Sequence, residues 1–417
     1  MTDAFDLSMP LSEGLLVLEA SAGTGKTWSL EALAVRAIAE RGLRASQVCI
    51  VSFTRLATAD LRSRVRQRLS STATFLDSDR TDSDDPLHEL LIDGIDADTR
   101  VKRARAVRLA LAEFDSASIT TIHGFCTRVL ASGGADPSLP ISEDDDDVVE
   151  LVDDALIAEI AAHRDVPGWK LPARAELLKA VRLRLRLPDA RIHTIGRGAD
   201  DTWVDLDGAP LKLNAGQVDL ALAIERFVEL VERLVAEVHE RRRARRIRTN
   251  DSLLTDARDL LQSPKGPGVV AGLRSTFALV LIDEFQDTDR VQWDIFRTAF
   301  LDQIDGVDAE RPIVIVVGDP KQSIYRFRSA ELSAYLDARA VADATSSVRT
   351  LAVNHRSDPA LLDALEALFD GFTFGDDEIV FSHVEPRPGA PRRAIDCHDG
   401  LSIQFRDLSD ADDPLAW

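Results

Sequence analysis

The sequence predicts an α/β fold: a parallel sheet covered by helices on both faces, with an inserted all-α domain and the start of a further domain behind it. Three observations carry that prediction. Apolar runs recur at LLVLEA (15–20), VCIVSFT (48–54), ASITTIHGF (117–125), ALVLIDEF (278–285) and PIVIVVGD (312–319), with helical stretches between them. Continuous apolar runs of this length suit strands buried on both faces. Polar clusters follow at the carboxyl ends of these runs, where open parallel sheets bind their ligands. From about 135 to 270 the period becomes helical with charged faces, as in VDLALAIERFVELVERLVAEVHERRR.

The elements follow in order. The first run passes through a small-residue loop into a helix over Thr27 to Glu40, where Leu30, Leu33, Ala34, Ala37 and Ile38 share helical spacing. The second run precedes an arginine-rich helix, and a smaller helical excursion occupies about 72–112, with the acid-rich SDRTDSDDP as an exposed loop. The third run precedes a short helix. After Asp337 a linker leads to the strand VRTLAVNHR (348–356) and a helix over Pro359 to Phe369. Beyond Gly371 the chain is rich in Pro, Asp and Gly. The expected organisation is 1–135 and 271–345 as two parts of one sheet domain, 136–270 as the helical insertion, and 346–417 as the opening of another domain.

Length and composition narrow the classes. A chain of 417 residues with 45% apolar and 29% charged content has room for two or three globular domains, which excludes collagen-like, low-complexity and wholly disordered readings. No stretch of about 18 apolar residues occurs, and the opening MTDAFDLSMP carries acids where a signal peptide carries positive charge. A cytoplasmic, non-membrane protein is expected. Cys49, Cys126 and Cys397 are far apart and form neither a disulfide framework nor a zinc cluster. The net charge of -21 argues against bulk coating by nucleic acid, yet residues 41–68 carry seven arginines against one acid, and 241–248 carry six arginines. Either run suits a solvated helix face as well as a nucleic-acid groove.

Ala20-Ser21-Ala22-Gly23-Thr24-Gly25-Lys26-Thr27 has the composition of a phosphate-binding loop, in which backbone N–H groups and a helix N-terminus face an anion. Lys26 would reach the β and γ phosphates of ATP, and the Thr27 hydroxyl would hold Mg²⁺. Ala20 replaces the usual first glycine, and a chance glycine turn is the competing reading. The strand Val280-Leu281-Ile282-Asp283-Glu284 delivers two adjacent carboxylates. Asp283 would bind Mg²⁺, and Glu284 would orient and deprotonate a water attacking the γ phosphate. The alternative is that the two acids cap a helix starting near Asp289. The 257 residues between Lys26 and Asp283 exceed one βαβ unit and support the insertion.

Asp283-Glu284-Phe285-Gln286-Asp287, Gly318-Asp319-Pro320-Lys321-Gln322-Ser323-Ile324-Tyr325-Arg326-Phe327-Arg328 and Val353-Asn354-His355-Arg356-Ser357 resemble the second, third and fourth motifs of UvrD/Rep-type superfamily 1 helicases. Leu18 to Thr27 and Thr121-Ile122-His123-Gly124-Phe125-Cys126 narrow the resemblance to the RecB family of exodeoxyribonuclease V beta subunits, where Ala20 is the expected residue. The resemblance spans nearly all of residues 5–370.

It implies a RecA-like P-loop NTPase sheet, with the start of a second RecA-like domain at the end of the chain. It also implies an ATP-dependent 3′–5′ DNA helicase of double-strand-break repair and recombination, acting on single-stranded DNA and duplex ends with RecC-like and RecD-like subunits. By the same resemblance Gln322 senses the γ phosphate, and Arg356 reaches across the cleft between two lobes as an arginine finger. The plainer reading of Arg356 is a surface arginine before a helix capped by Ser357. Phe53, Thr54, Arg55, His123, Phe125, Tyr325 and Phe327 are the implied DNA contacts, with core packing the alternative for each aromatic. Residues 1–417 contain no nuclease carboxylate cluster, and the later motifs of the second lobe are missing. A motor-incomplete fragment that binds ATP and DNA without unwinding is therefore one rival, and an AddA-type helicase-nuclease subunit another. A small-molecule P-loop kinase would explain neither the third-motif aromatics nor TIHGFC.

Overall fold

The computed structural model describes residues 3–136, 139, 141–142, 145–164, 171–188, 196–197, 203–204, 211–323, 332–374 and 377–389. The chain divides into two compact units, Met1–Phe125 with Pro264–Trp417, and Cys126–Ser263.

The first unit is built on a sheet of seven strands: β1 (Asp3–Ala4), β2 (Gly14–Ala20), β3 (Val48–Ser52), β4 (Ser118–Thr121), β5 (Leu279–Ile282), β6 (Ile313–Gly318) and β7 (Val348–Leu351). They lie in the order β1-β7-β2-β6-β5-β3-β4, every neighbouring pair parallel. Central β3, β5 and β6 are buried at every position, as their unbroken apolar runs require. Helices α1 (Lys26–Arg41), α2 (Arg55–Asp77), α3 (Pro86–Ile92) and α4 (Ala97–Ala112) follow β2 and β3. Ser29 through Ala39 are all buried, so α1 is covered on every side and its apolar residues join those of β2, β3, β5 and β6 in one core.

Two expectations are corrected in this unit. The run at 117–125 is a strand only to Thr121; α5 (Ile122–Ser132) starts at once, so His123 and Phe125 ride on a helix. The strand expected to open a further domain at 346 is instead β7, an inner strand of this same sheet. Its residues Val348 to Leu351 register against Val17 to Ala20 of β2, and Leu351 is buried in the shared core. Parallel pairing saturates the backbone groups of β2 on its second side, which an edge position would leave open.

In the second unit α6 (Asp145–His163), α7 (Arg174–Arg186) and α8 (Ala215–Arg245) bury Leu151, Val152, Leu156, Leu177, Val181, Leu230, Leu234 and Val238 against one another. The unit starts at Cys126 and ends at Ser263, earlier at both ends than the 136–270 read from periodicity. The reason at the later end is α10 (Gly266–Thr276), which follows α9 (Asn250–Gln262). Buried Arg274 of α10 donates to the carbonyls of Ala299 (2.9 Å) and Asp302 (2.8 Å) in the sheet unit.

The arginines at 241–248 find their partners within this helical unit. Arg242 grips Asp256 with two bonds of 2.8 and 2.6 Å. Arg245 reaches Glu150 and Asp154, Arg241 pairs with Glu237, Arg243 with Glu240, and Arg248 donates to the Asp136 carbonyl. Arg242→Ala leaves Asp256 without its buried partner and is expected to destabilise the chain by about 3 kcal/mol, whereas Arg243→Ala, on an exposed pair, costs under about 0.5 kcal/mol. Urea melts of the two variants check this, and equal midpoints would remove the distinction.

Candidate functional site

β2 ends at Ala20, and the loop Ser21–Gly25 turns the chain into α1. Thr24 folds the loop on itself, its Oγ1 donating to the Ser21 carbonyl at 2.8 Å. Gly23 (φ +81°) and Gly25 (φ +91°) occupy the left-handed region. A Cβ at Gly23 would also lie 2.9 Å from both Arg356 Cβ and Asn354 Oδ1. Gly25 caps α1 without a side-chain bond, so the loop leaves first-turn N–H groups of the helix to an anion.

The acids arrive at the same edge of the sheet. β6 lies between β2 and β5, pairing Glu19 with Gly318 on one side and Ile282 with Val316 on the other. That register places the ends of all three strands together. Lys26 Nζ lies 3.3 Å from Glu284 Oε2, a contact across 258 residues. Glu284 itself has φ 51° and ψ 43°, a left-handed conformation that costs a residue with a side chain roughly 1–2 kcal/mol. A short turn, Phe285–Asp287, and the bond from Glu284 N to Asp283 Oδ1 (3.0 Å) hold it there. The helix after these acids, α11 (Arg290–Phe296), is capped by Asp289, which accepts from Gln292 N. Neither Asp283 nor Glu284 caps it.

Burial pushes the Asp283 carboxyl from the ordinary 3.8 up to about 6, with the charge of Glu284 adding to the effect and Lys26 opposing it. Asp287 is raised to about 6 by the same two causes in the same order, and its Oδ1 is buried without a hydrogen-bond partner among the described residues. A carboxyl whose folded pKa is raised is least costly when protonated, so its ionisation erodes stability as pH climbs from about 4 through 6. Asp283→Asn is therefore expected to gain stability relative to wild type between pH 4.5 and 7.5, by on the order of 2 kcal/mol in metal-free buffer. Denaturant melts at the two pH values measure it; a constant difference would contradict a raised Asp283.

A third strand end completes the cluster. Asp319 follows β6 and is buried; its Oδ2 accepts from Gln322 Nε2 at 2.8 Å and its Oδ1 faces Lys321 Nζ at 3.0 Å. Gln286 Nε2 donates to Glu284 Oε2 at 2.7 Å, and Gln286 Oε1 accepts from Asp319 N at 3.0 Å. On the other side of the loop, Asn354 Nδ2 donates to the Ala22 carbonyl (2.9 Å) and His355 N to the Gly23 carbonyl (2.8 Å). Arg356 is exposed and stands beside Gly23 within this one unit, because β7 carries it there. Its expected route across a cleft from another lobe is corrected accordingly. The helix behind it, α12 (Pro359–Phe369), is capped by Asp358 and not by Ser357.

With that geometry in place, the family model for the UvrD/REP helicase N-terminal domain matches residues 6–342. The chain belongs to this family. Its curated relatives include the RecBCD enzyme subunit RecB of Mycolicibacterium smegmatis, 34% identical over 401 residues, covering 93% of this chain and 33% of the relative. The RecB subunit of Mycobacterium tuberculosis is 36% identical over 388 residues, 91% of this chain and 32% of its own. That of Escherichia coli is 26% identical over 503 residues, 96% of this chain and 41% of its own. The chain spans about a third of the length of the first two relatives.

Within this UvrD/REP helicase domain the expected DNA contacts separate. Thr54 caps α2, accepting from Ala57 N at 3.0 Å, and Arg55 is exposed on the first turn beside Leu56, which is 83% exposed. Phe53 and His123 are half-buried. Phe125 is a correction: it is 0% exposed and stacks on Phe296 with ring centroids 5.3 Å apart, so it presents no face to a base. Tyr325 and Phe327 lie outside the described residues. No described helix is long and apolar enough to cross a membrane.

The residues that sequence reasoning passed over are Asn354 and Gln286. Both sit inside recognised motifs, yet their roles are pairings with loops far away in sequence. The one available signal was an amide with both hydrogen-bonding ends to satisfy, placed within a few residues of a strand's carboxyl end.

Proposed function

We propose that this chain carries the ATP-hydrolysing part of a RecB-type DNA helicase, with its sheet unit as a RecA-like motor domain and its helical unit as the inserted domain. The contact between Lys26 and Glu284 carries the reading, because it brings a phosphate-binding cation and a proton acceptor to one point on the sheet edge. Lys26 binds the β and γ phosphates, Ser21 to Gly25 cradle them with backbone N–H groups, and Glu284 accepts the proton of the attacking water. Gln322 and Arg356 flank the γ position, and exposed Arg356 supplies positive charge as the phosphoryl group transfers.

Mg²⁺ fits this donor set. No described group of three or more His, Cys, Asp or Glu cages an ion, and Mg²⁺ with a nucleotide needs only one or two protein oxygens besides phosphate and water. Asp283 with its raised carboxyl, and Thr27 at the head of α1, are the residues that would hold it. When bound, the ion neutralises phosphate charge.

Phe53, Thr54, Arg55 and His123 form the DNA side among the described residues; Tyr325 and Phe327, outside them, are assigned to DNA by the motif alone. By its likeness to RecB subunits of RecBCD enzymes the protein would work in the cytoplasm with RecC-like and RecD-like subunits, moving 3′ to 5′ in double-strand-break repair. The test is ATP turnover by the 417-residue chain with and without single-stranded DNA, together with strand displacement on a tailed duplex. DNA-stimulated turnover is expected. Turnover without strand displacement would assign this chain to nucleotide and DNA binding with an incomplete motor, and no turnover would overturn the reading.

A further inference from the structure

The geometry points to Gln286 as a positioning residue that aims the Glu284 carboxylate and ties it to the segment after β6. This deepens, and rests on, the nucleotide-hydrolysing reading above.

Gln286 is only 2% exposed, and its amide is spent at both ends. Nε2 donates to Glu284 Oε2 at 2.7 Å, and Oε1 accepts from Asp319 N at 3.0 Å. Its own carbonyl accepts from Ser323 Oγ at 3.2 Å. Lys26 Nζ approaches the same Glu284 oxygen at 3.3 Å. Both donors therefore sit on Oε2, and among the described residues none reaches Oε1, the oxygen left to accept a proton from water. A glutamate side chain on a left-handed backbone has several rotamers open to it, and an amide bond of this length, from a buried Gln286, selects one.

The space for this amide is built into β6. A Cβ at Gly318 would lie 2.8 Å from Gln286 Oε1 and 3.1 Å from Gln286 N, so glycine there is what lets the amide seat. On the far side Asp319 Oδ2 holds Gln322 Nε2 at 2.8 Å. The sequence of bonds from Glu284 through Gln286 and Asp319 to Gln322 thus links the proton acceptor to the residue expected to sense the γ phosphate. A shift of either end is passed to the other through these bonds.

Gln286→Met keeps the volume and removes both bonds. In the 417-residue chain it is expected to lower the kcat of DNA-stimulated ATP hydrolysis about 10- to 100-fold while the KM for ATP stays within about 2-fold, since the phosphate loop is untouched. Gly318→Ala, which displaces the amide and leaves its chemistry intact, is expected to lower kcat in the same direction. The double variant should be no worse than Gln286→Met alone, the mark of one shared contact. The Gly318→Ala measurement stands by itself if Gln286→Met does not fold. An unchanged kcat in the folded variants, or kcat losses that multiply in the double variant, overturns the positioning role and leaves the site reading intact. Wild-type hydrolysis that is insensitive to Lys26→Ala overturns both.

Discussion

DNA-stimulated ATP hydrolysis by Lys26→Ala is expected to fall by at least about two orders of magnitude, with the thermal midpoint close to wild type. The size follows from what the ammonium does. A preorganised donor aimed at charge that grows in the transition state is worth roughly 3–4 kcal/mol, or about 100- to 1,000-fold in rate. The stability arm follows from exposure. Glu284 retains 39% of its side-chain surface, and an ion pair open to solvent on one side contributes at most about 1 kcal/mol to folding. Removing Lys26 thus separates chemistry from stability. Steady-state turnover and a thermal melt on the same preparation make the measurement, and undiminished turnover would remove Lys26 from the nucleotide site.

Phe125→Ala is expected to act the opposite way, destabilising the sheet unit by about 3–5 kcal/mol, the usual cost of emptying a buried phenylalanine site. Its ring is wholly buried and packs on Phe296 and, at 5.7 Å, on Phe300, so truncation opens a cavity among rings that cannot all close over it. Well below its melting point the variant should bind single-stranded DNA as wild type does. Phe53→Ala, half-buried at the carboxyl end of β3, should show the reverse: a small stability loss and weaker DNA binding, by roughly 1–3 kcal/mol if the ring stacks on a base. Urea melts paired with fluorescence anisotropy separate the two. A stable Phe125→Ala that loses DNA binding would contradict its place in the core.

The sequence by itself determined where the long inner strands lie, in what chain order they come, and what stands at their ends; the two-residue strand Asp3–Ala4 and the stop at Thr121 escaped it. An unbroken run such as Ile313 to Val317 has no polar residue to expose and can only be an inner strand. The glycines between β2 and α1, and the acids after β5, are likewise local: composition and the change of period within a few residues suffice to place them. Tertiary structure decided everything that depends on which strand lies beside which. Val348 to Leu351 carries no mark that assigns it to the first sheet, and the register of β7 on β2 is what brings Asn354 and Arg356 against Gly23. The arginines of 241–248 suit in sequence either a solvated helix face or a groove for phosphate, and helix packing supplies them with acids from α6, α8 and α9. Phe125 and Gln286 show the same limit on a smaller scale. An aromatic ring or an amide fits a surface or an interior equally well until its neighbours are fixed, and here those neighbours come from strands and helices distant in sequence, joined only when the chain folds.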